Sequence, residues 1–206
     1  MKTQSKETQD NLTPEQAFKI LKDGNQRFVN NLKANRNLLQ QVNETSTGQF
    51  PFATILSCMD SRTSAELIFD QGLGDIFSIR IAGNVLNDDI LGSMEFGTKV
   101  VGTKIILVLG HTKCGAIIGA CDAVKMGKLT QLLNKINPAI DAEKEEKDNR
   151  TGSNESFVNS VTINNLHLVM EQIRKQSSII TDLENQGKVK IVGGLYDVSS
   201  GEVTFY

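Results

Sequence analysis

The side chains best suited to chemistry lie in two short segments, Cys58-Met59-Asp60-Ser61-Arg62 and, about fifty residues later, His111-Thr112-Lys113-Cys114-Gly115. Together these segments supply two thiols and an imidazole, which are ligand types that bind zinc well. Three protein ligands leave the fourth tetrahedral position free for water or for Asp60. A closed site with four protein ligands is usually structural, whereas an open site is usually catalytic. The pattern therefore predicts a catalytic zinc site with Cys58, His111 and Cys114 as metal ligands.

Asp60 and Arg62 form a second informative pair beside the first predicted ligand. A carboxylate two residues from a metal ligand can accept a proton from metal-bound water or can bind the metal itself. An adjacent guanidinium would keep Asp60 ionised and would orient it. A surface helix cap with an ion pair is the simpler reading of an Asp-Ser-Arg turn, and a lone buried cysteine is often a small core residue. The joint occurrence favours the metal site, with a closed structural clip that includes Asp60 as the alternative.

Composition limits the classes of protein to which the chain can belong. The 206 residues are 39% hydrophobic and 22% charged, with a formal net charge of -2, so the charge indicates neither nucleic-acid nor membrane partners. The segment from Thr3 to Glu15 has no apolar core of a signal peptide, and no apolar run approaches the roughly eighteen residues that span a bilayer. Three cysteines, an odd number, favour a reducing compartment. We expect a cytoplasmic protein.

The predicted elements alternate between strands and helices, which indicates an α/β fold. Continuous apolar runs predict strands at 53–57, 76–81, 104–110 and 189–193. Helices are predicted at 62–71, 88–101, 113–126, 155–175 and 177–186, and the segment 137–154 is expected to be a solvated loop or a frayed helix end. Strands that are apolar throughout are typical of a parallel sheet that is covered on both faces. The expected fold is therefore a mainly parallel central β-sheet flanked by helices.

The N-terminal region is predicted to be a helical arm that follows a disordered polar tail. Residues 1–12 are assigned to that tail, and residues 13–206 to a single α/β domain. Thr13 is a predicted N-cap, with Pro14 at the first helical position and Gln16 completing a capping box. The helix has one apolar stripe, which would pack either on its own domain or on a partner subunit.

The order of these elements explains how ligands distant in sequence could meet. Cys58 and His111 both follow the carboxyl ends of predicted parallel strands, the edge at which open α/β sheets bind ligands. Cys114 opens the next helix, where the positive end of the helix dipole favours a thiolate. Gly115 gives a small ligand room to approach. Cys121 and His167 are expected to be a packed free thiol and a helix-surface histidine, respectively.

The motifs resemble those of the β-class carbonic anhydrases. The matching blocks run in the family's order from about residue 18 to residue 197, and they are Gly24-Asn25-Gln26-Arg27-Phe28, Cys58-Met59-Asp60-Ser61-Arg62, Gly74-Asp75-Ile76-Phe77-Ser78-Ile79-Arg80-Ile81-Ala82-Gly83-Asn84, Ser93-Met94-Glu95-Phe96, Gly110-His111-Thr112-Lys113-Cys114-Gly115 and Gly193-Gly194-Leu195-Tyr196-Asp197. The resemblance implies reversible hydration of carbon dioxide to bicarbonate and a proton by zinc-bound hydroxide, which Asp60 orients and Arg62 supports. It also implies one zinc ion per chain and a homo-oligomer, either a dimer or a dimer of dimers, with the N-terminal helix over the partner.

The resemblance also bears on the occupant of the fourth zinc position. Some family members close the site with the aspartate and have a tryptophan three residues before the first cysteine, where this chain has Ile55. Gln49 matches a glutamine that contacts substrate across the subunit interface in the other subtype. By the same alignment, Phe77 and Ala82 line the apolar side of the cleft, and Gly115 completes the predicted substrate contacts. We therefore expect an open site with water as the fourth ligand.

Two other functions remain as alternatives at this point. The first is a hydrolase for carbonyl sulfide or carbon disulfide, because the same zinc hydroxide can attack other linear triatomic molecules. The second is a non-enzymatic zinc-binding or interaction protein with a closed site. In that protein, Asp60→Asn would change neither zinc content nor function.

Overall fold

The computed structural model describes residues 3–206, which form an α/β fold around a five-stranded sheet. The strands are β1 (Ala53–Ser57), β2 (Ile76–Arg80), β3 (Ile105–His111), β4 (Lys190–Tyr196) and β5 (Val203–Phe205). Their order is β2-β1-β3-β4-β5, and all neighbours are parallel except β4 and β5, which are antiparallel. The predicted mainly parallel sheet is confirmed.

Helices cover the sheet and form the connections between its strands. They are α1 (Lys6–Asn11), α2 (Pro14–Val29), α3 (Leu38–Thr45), α4 (Ala65–Ile68), α5 (Asp88–Glu95), a π-helix (Phe96–Val101), α6 (Gly115–Cys121), α7 (Gly127–Leu133), α8 (Asn137–Ala142), α9 (Glu155–Gln176) and α10 (Ser178–Asn185). Single 3₁₀ turns lie at Ala82–Asn84 and Asn134–Ile136. Within residues 3–206, every helix is too short or too polar to cross a bilayer.

The central strands β1 and β3 are buried along their whole length because each face of the sheet carries its own apolar cluster. Side chains of a strand alternate between the two faces. Ile55 and Leu107 accordingly pack with α2 on one face. Leu56 and Ile106 pack with α9 and α10 on the other. This two-sided burial explains why these strands have apolar sequences without alternation.

Helix α2 packs on the chain's own sheet, where it contributes Ala17 and Leu21 to the apolar cluster on one face. A Cβ atom on Gly24 would lie 1.9 Å from the carbonyl oxygen of Phe69, so only glycine permits this approach. The next residue, Asn25, donates to the carbonyl of Gly201 at 2.9 Å and accepts from the backbone N–H of Val203 at 3.0 Å. The Gly24-Asn25 segment thus joins the N-terminal helix to the end of the chain.

The structure differs from the sequence-based expectation in several short elements. In place of a disordered tail over 1–12, residues 6–11 form α1, which Ser5 and Thr8 cap and which buries Gln9; residues 1 and 2 lie outside the described part. The segment 137–154, expected to be a solvated loop or a frayed helix end, begins with the short helix α8, whose first turn contains a proline. Helices α3 and α7 and strand β5 were also missed. These elements are short, and their stability depends mainly on tertiary contacts.

Candidate metal centre

Strand register brings the two motifs together at the carboxyl edge of the sheet. Ser57, the last residue of β1, pairs with Leu109 of β3. Cys58 therefore leaves the sheet beside the end of β3, where His111 is the last strand residue. Cys114 lies three residues after the end of that strand and is the N-cap residue of α6. The predicted convergence of the three side chains is what the fold produces.

The three ligand atoms are close enough to bind one metal ion. The Cys58 and Cys114 sulfurs and one ring nitrogen of His111 all lie within 4.8 Å of one another, and the two sulfurs are 3.9 Å apart. Two thiolates at about 2.3 Å from a tetrahedral zinc ion would be about 3.8 Å apart. All three side chains are buried, with at most 4% of the residue surface exposed. Both the donor set and the spacing fit zinc.

The orientation of His111 also fits a metal. Its Nδ1 atom lies 2.9 Å from the carbonyl oxygen of Thr112, and because a carbonyl only accepts, Nδ1 carries the proton. Nε2 is consequently the nitrogen with a free lone pair, and it is buried without a hydrogen-bond partner in the described part of the chain. A backbone carbonyl that fixes the tautomer is a common partner of metal-binding histidines. The Thr112 hydroxyl in turn donates to Asp197 at 3.2 Å and accepts from the Val198 N–H at 3.1 Å.

The two thiols differ in their acidity. The contact with Cys114 lowers the pKa of Cys58, and the nearby His111 ring and the backbone at Asp60 and Gly83 act in the same direction, against the effect of burial. The Gly83 N–H lies 3.4 Å from the Cys58 sulfur. The same contact with Cys58, together with burial, raises the pKa of Cys114. A divalent cation between the two sulfurs would stabilise both as thiolates.

Asp60 and Arg62 form the ion pair expected from their spacing. The Arg62 backbone N–H and Nε donate to Asp60 Oδ1, both at 2.9 Å, and Nη2 donates to Oδ2 at 2.7 Å. The hydrogen bonds from Arg62 hold the pKa of Asp60 well below its usual range. Asp60 is therefore ionised at neutral pH, and Oδ2 retains a free acceptor position. Asp60 does not belong to the group of three buried ligand atoms.

Sequence reasoning missed Arg80 and Thr63, which hold the loop that carries Cys58 and Asp60. Arg80 donates through Nε to the Cys58 carbonyl at 3.2 Å and through Nη2 to the Asp60 carbonyl at 2.6 Å. The Thr63 hydroxyl lies 2.9 Å from each of the same two carbonyls. Arg80 pairs with Ser57 in the sheet, so knowledge of the strand register would have identified it.

Two of the predicted substrate contacts, Ala82 and Gly115, lie beside the candidate metal ligands. Ala82 precedes Gly83, whose N–H contacts Cys58. Gly115 follows Cys114 and opens α6, and a Cβ atom built on it would meet nothing within 4 Å. The space in front of Gly115 is therefore open to a small molecule.

The other two predicted substrate contacts, Phe77 and Gln49, lie away from the candidate metal ligands of the same chain. Phe77 is three residues before Arg80 on β2, about 10 Å away at the usual strand rise, and its ring centroid lies 6.4 Å from that of Phe96. Gln49 lines an open groove of about 640 Å³ with α3 residues and the turn at Leu73 and Gly74. None of the three metal-ligand candidates lines that groove.

Cys121 and His167 do not take part in the metal centre. Burial raises the pKa of the Cys121 thiol to about 11. His167 lies on the exposed side of α9, where its ring packs edge-on against Tyr206 with centroids 5.6 Å apart. Both residues therefore offer matched controls for substitutions at the centre.

Comparison with known proteins gives consistent matches. A family model described as carbonic anhydrase matches residues 53–203. Carbonic anhydrase 2 of Mycobacterium tuberculosis is 34% identical over 199 residues, which cover 93% of this chain and 92% of that protein. The fold is similar to that of the β-carbonic anhydrase CafA of Aspergillus fumigatus (TM-score 0.71, 22% identity, 82% and 81% of the two chains). It is also similar to a structure from work on two tetrameric β-carbonic anhydrases of Sordaria macrospora (TM-score 0.68, 18% identity, 81% and 89%).

Proposed function

The chain belongs to the β-class carbonic anhydrase family, and from this premise we propose that it hydrates carbon dioxide reversibly at a zinc ion held by Cys58, His111 and Cys114. Two observations carry the assignment of the ligands: two buried sulfurs and a ring nitrogen of His111 lie within 4.8 Å of one another, and His111 Nε2 is buried without a hydrogen-bond partner among residues 3–206. When bound, zinc lowers the pKa of a water molecule so that hydroxide is available near neutral pH. The overall reaction converts carbon dioxide and water to bicarbonate and a proton.

In this proposal Asp60 orients the attacking water oxygen. Arg62 occupies both acceptor positions of Oδ1 and one position of Oδ2, so the remaining acceptor on Oδ2 can receive the hydrogen bond of the nucleophile. Because the pKa of Asp60 is held low, the carboxylate remains an acceptor throughout the neutral range. Arg80 and Thr63 keep the carboxylate-bearing loop at the edge of the sheet through the Cys58 and Asp60 carbonyls. The released proton passes to buffer.

We further propose that water, not Asp60, occupies the fourth position on zinc. Three hydrogen bonds from Arg62 engage Asp60, which supports this arrangement. The open space at Gly115 leaves room for carbon dioxide and bicarbonate beside Cys114.

A homo-oligomer completes the proposed site. Strand β2 is an edge strand of the sheet within one chain. The elements before and after it in the sequence, α3, α4 and the π-helix, carry exposed apolar side chains. These side chains are Leu38, Leu39, Val42, Leu67, Phe96 and Val100. A second copy that covered these side chains would remove their apolar area from water, which supports a dimer or a dimer of dimers. In this assembly Gln49 and Phe77 would reach the cleft of the neighbouring subunit. Light scattering of the purified protein tests this; a monomer at micromolar concentration would contradict it.

We propose a cytoplasmic location on the basis of cysteine chemistry. Cys58, Cys114 and Cys121 are all free thiols, which a reducing compartment preserves. Fractionation of the native cells with immunodetection tests the location.

Stopped-flow hydration of carbon dioxide, with zinc measured on the same sample, tests the function. We expect about one zinc ion per chain and hydration well above the uncatalysed rate between about pH 7 and 9, where metal-bound water of this kind ionises. His111→Ala and Cys114→Ser should lose zinc and activity together. His167→Ala and Cys121→Ser, which change the same residue types outside the centre, should retain both.

Two outcomes would contradict this proposal. A fully zinc-loaded protein without hydration above background would reject carbonic anhydrase activity, and faster turnover of carbonyl sulfide would then favour the hydrolase. Zinc content that survives His111→Ala would reject the ligand assignment.

A further inference from the structure

Two consecutive hydrogen bonds connect the centre of α9 to a metal-ligand candidate. The Asn165 amide donates through Nδ2 to the Gly83 carbonyl at 3.0 Å, and the Gly83 N–H lies 3.4 Å from the Cys58 sulfur. We propose that Asn165 is a positioning residue that holds the Gly83 N–H on the Cys58 thiolate and so sets how strongly this sulfur donates to the metal. The inference rests on the proposed function, because it assumes that Cys58 binds zinc.

The turn that presents the Gly83 N–H has an unusual backbone conformation. Gly83 has φ 67° and Asn84 has φ 42°, so two consecutive residues are in the left-handed region. A Cβ atom on Gly83 would lie 3.0 Å from Ile136 Cδ1 and 3.3 Å from the Ala116 Cβ, so a side chain at Gly83 would be crowded as well as strained. A turn of this kind needs tertiary contacts to remain in one conformation.

Asn165 supplies such a contact on the side of the turn opposite the sulfur. The N–H and the carbonyl of Gly83 belong to the two peptide groups on either side of its α-carbon. When Cys58 engages the first group and Asn165 the second, both backbone torsions of Gly83 are fixed. Without the Asn165 amide, the carbonyl loses this hydrogen bond and the N–H can rotate away from the sulfur.

The environment of Asn165 indicates that its amide is needed for the hydrogen bond to the Gly83 carbonyl and not for packing. The residue is 1% exposed, and its neighbour on α9, Leu166, belongs to an apolar core cluster. Because the Gly83 carbonyl accepts only, the amide nitrogen must face it, and Oδ1 is left without a partner in the described part of the chain. A buried amide whose oxygen lacks a partner is unfavourable for stability alone, since an apolar side chain would avoid that loss.

A hydrogen bond to a metal-bound thiolate withdraws electron density from the sulfur. The sulfur then donates less charge to the metal, and the metal becomes a stronger Lewis acid. Loss of the Gly83 hydrogen bond should therefore change the electronic spectrum and the affinity of the centre. A residue that served only as core packing would change stability without changing either.

Asn165→Leu in the cobalt-substituted full-length protein tests the inference, with Asn164→Leu as the matched control. Asn164 is the preceding residue on α9 and donates to the Ala139 carbonyl at 3.3 Å instead of to the turn. In Asn165→Leu we expect the thiolate-to-cobalt charge-transfer band to move to lower energy, because the sulfur becomes the stronger donor. The zinc affinity, measured by chelator competition, should fall about 10-fold, because the turn no longer holds Cys58 in its metal-binding orientation. Asn164→Leu should have the wild-type spectrum and affinity.

Asn165→Ser provides a smaller change if the leucine variant does not fold, and the same spectral shift is expected. A folded Asn165 variant with the wild-type spectrum and zinc affinity would overturn this inference while leaving the proposed function intact. A wild-type protein that binds Co²⁺ without a thiolate band would overturn the proposed ligand set and this inference together.

Discussion

Two aspartate–arginine clusters in this molecule use the same functional groups in different surroundings. Asp60 pairs with Arg62 at the candidate metal centre, where the two side chains are 18% and 48% exposed. Asp70 pairs with Arg27 and Arg36 near the end of α4, where its own side chain is 5% exposed and that of Arg36 is 7% exposed. Ion-pair chemistry alone therefore does not distinguish a reactive carboxylate from a structural one.

The difference between the clusters lies in what each carboxylate joins. Asp60 and Arg62 are two residues apart, so their pair orders a local turn and leaves an oxygen available to a ligand. Asp70 accepts hydrogen bonds from Arg27 and Arg36, which are 43 and 34 residues away in the sequence, and from the backbone N–H of Ala34. It therefore connects α2 and the following loop to the end of α4. Burial alone would raise the pKa of Asp70, but the hydrogen bonds from Arg27 and Arg36 outweigh it and lower the pKa. We expect the first cluster to control activity and the second to control stability.

The largest expected effect is on catalysis at the exposed cluster. Asp60→Asn should lower kcat/KM for carbon dioxide hydration by about 1000-fold, because the amide cannot serve as the same oriented anionic acceptor. Stopped-flow assays, zinc analysis and thermal unfolding on one sample provide the measurement. Zinc content and the midpoint of unfolding should remain at wild-type values, and an unchanged rate in a zinc-loaded variant would refute the proposed role of Asp60.

The same substitution in the buried cluster, Asp70→Asn, should lower stability and leave the activity of the folded chain unchanged. Asp70→Asn should lower the free energy of unfolding by about 3 kcal/mol, because the buried guanidinium of Arg36 loses its anionic partner. Denaturant titration gives the stability, and the hydration rate per folded, zinc-loaded chain should stay near that of the wild type. Equal losses of activity per folded chain in both variants would contradict the division between the clusters.

A smaller effect is expected when the charge is kept but the fork of the guanidinium is lost. Arg62→Lys should reduce kcat/KM about 10-fold, since a single ammonium group cannot reproduce the paired Nε and Nη2 contacts to Asp60. Thermal unfolding should change little, because the Arg62 side chain is 48% exposed and its ion pair joins residues only two apart in the sequence. Full wild-type activity in Arg62→Lys would indicate that a positive charge beside Asp60 supports the reaction without the paired hydrogen bonds of the guanidinium.

The smallest expected effect concerns the buried cluster and is a change in how the free energy of unfolding depends on pH. The pKa of Asp70 is lower in the folded protein than the roughly 3.9 of an unfolded chain, so its contribution is complete above that value and is lost as pH falls through the folded pKa. The stability difference between wild type and Asp70→Asn should therefore shrink as the pH falls from about 4 into the more acidic range. Urea titrations of the metal-free proteins across that range measure it, and a constant difference would refute the linkage.

Much of the candidate centre could be predicted because its signals are local. The types and spacing of Cys58, His111 and Cys114 indicate a metal, and the apolar runs before the first two indicate strand ends. Asp60 and Arg62 are also local, since a two-residue separation restricts their geometry. Short elements such as α1 and β5 escaped prediction because six and three residues carry little periodic signal.

The types and spacing of the residues are enough to identify the side chains that could bind a metal, and the strands that would place them at one edge, because parallel strands share their carboxyl ends. The residues that support these side chains follow only from the packing of the folded chain. Arg80 reaches the Cys58 loop through strand register, and Asn165 reaches Gly83 from 82 residues away. The same holds for the two aspartate–arginine clusters, since Asp70 is structural only because chain segments distant in sequence bury it. Burial and hydrogen bonding between distant segments depend on how the whole chain packs, and no local pattern contains that information.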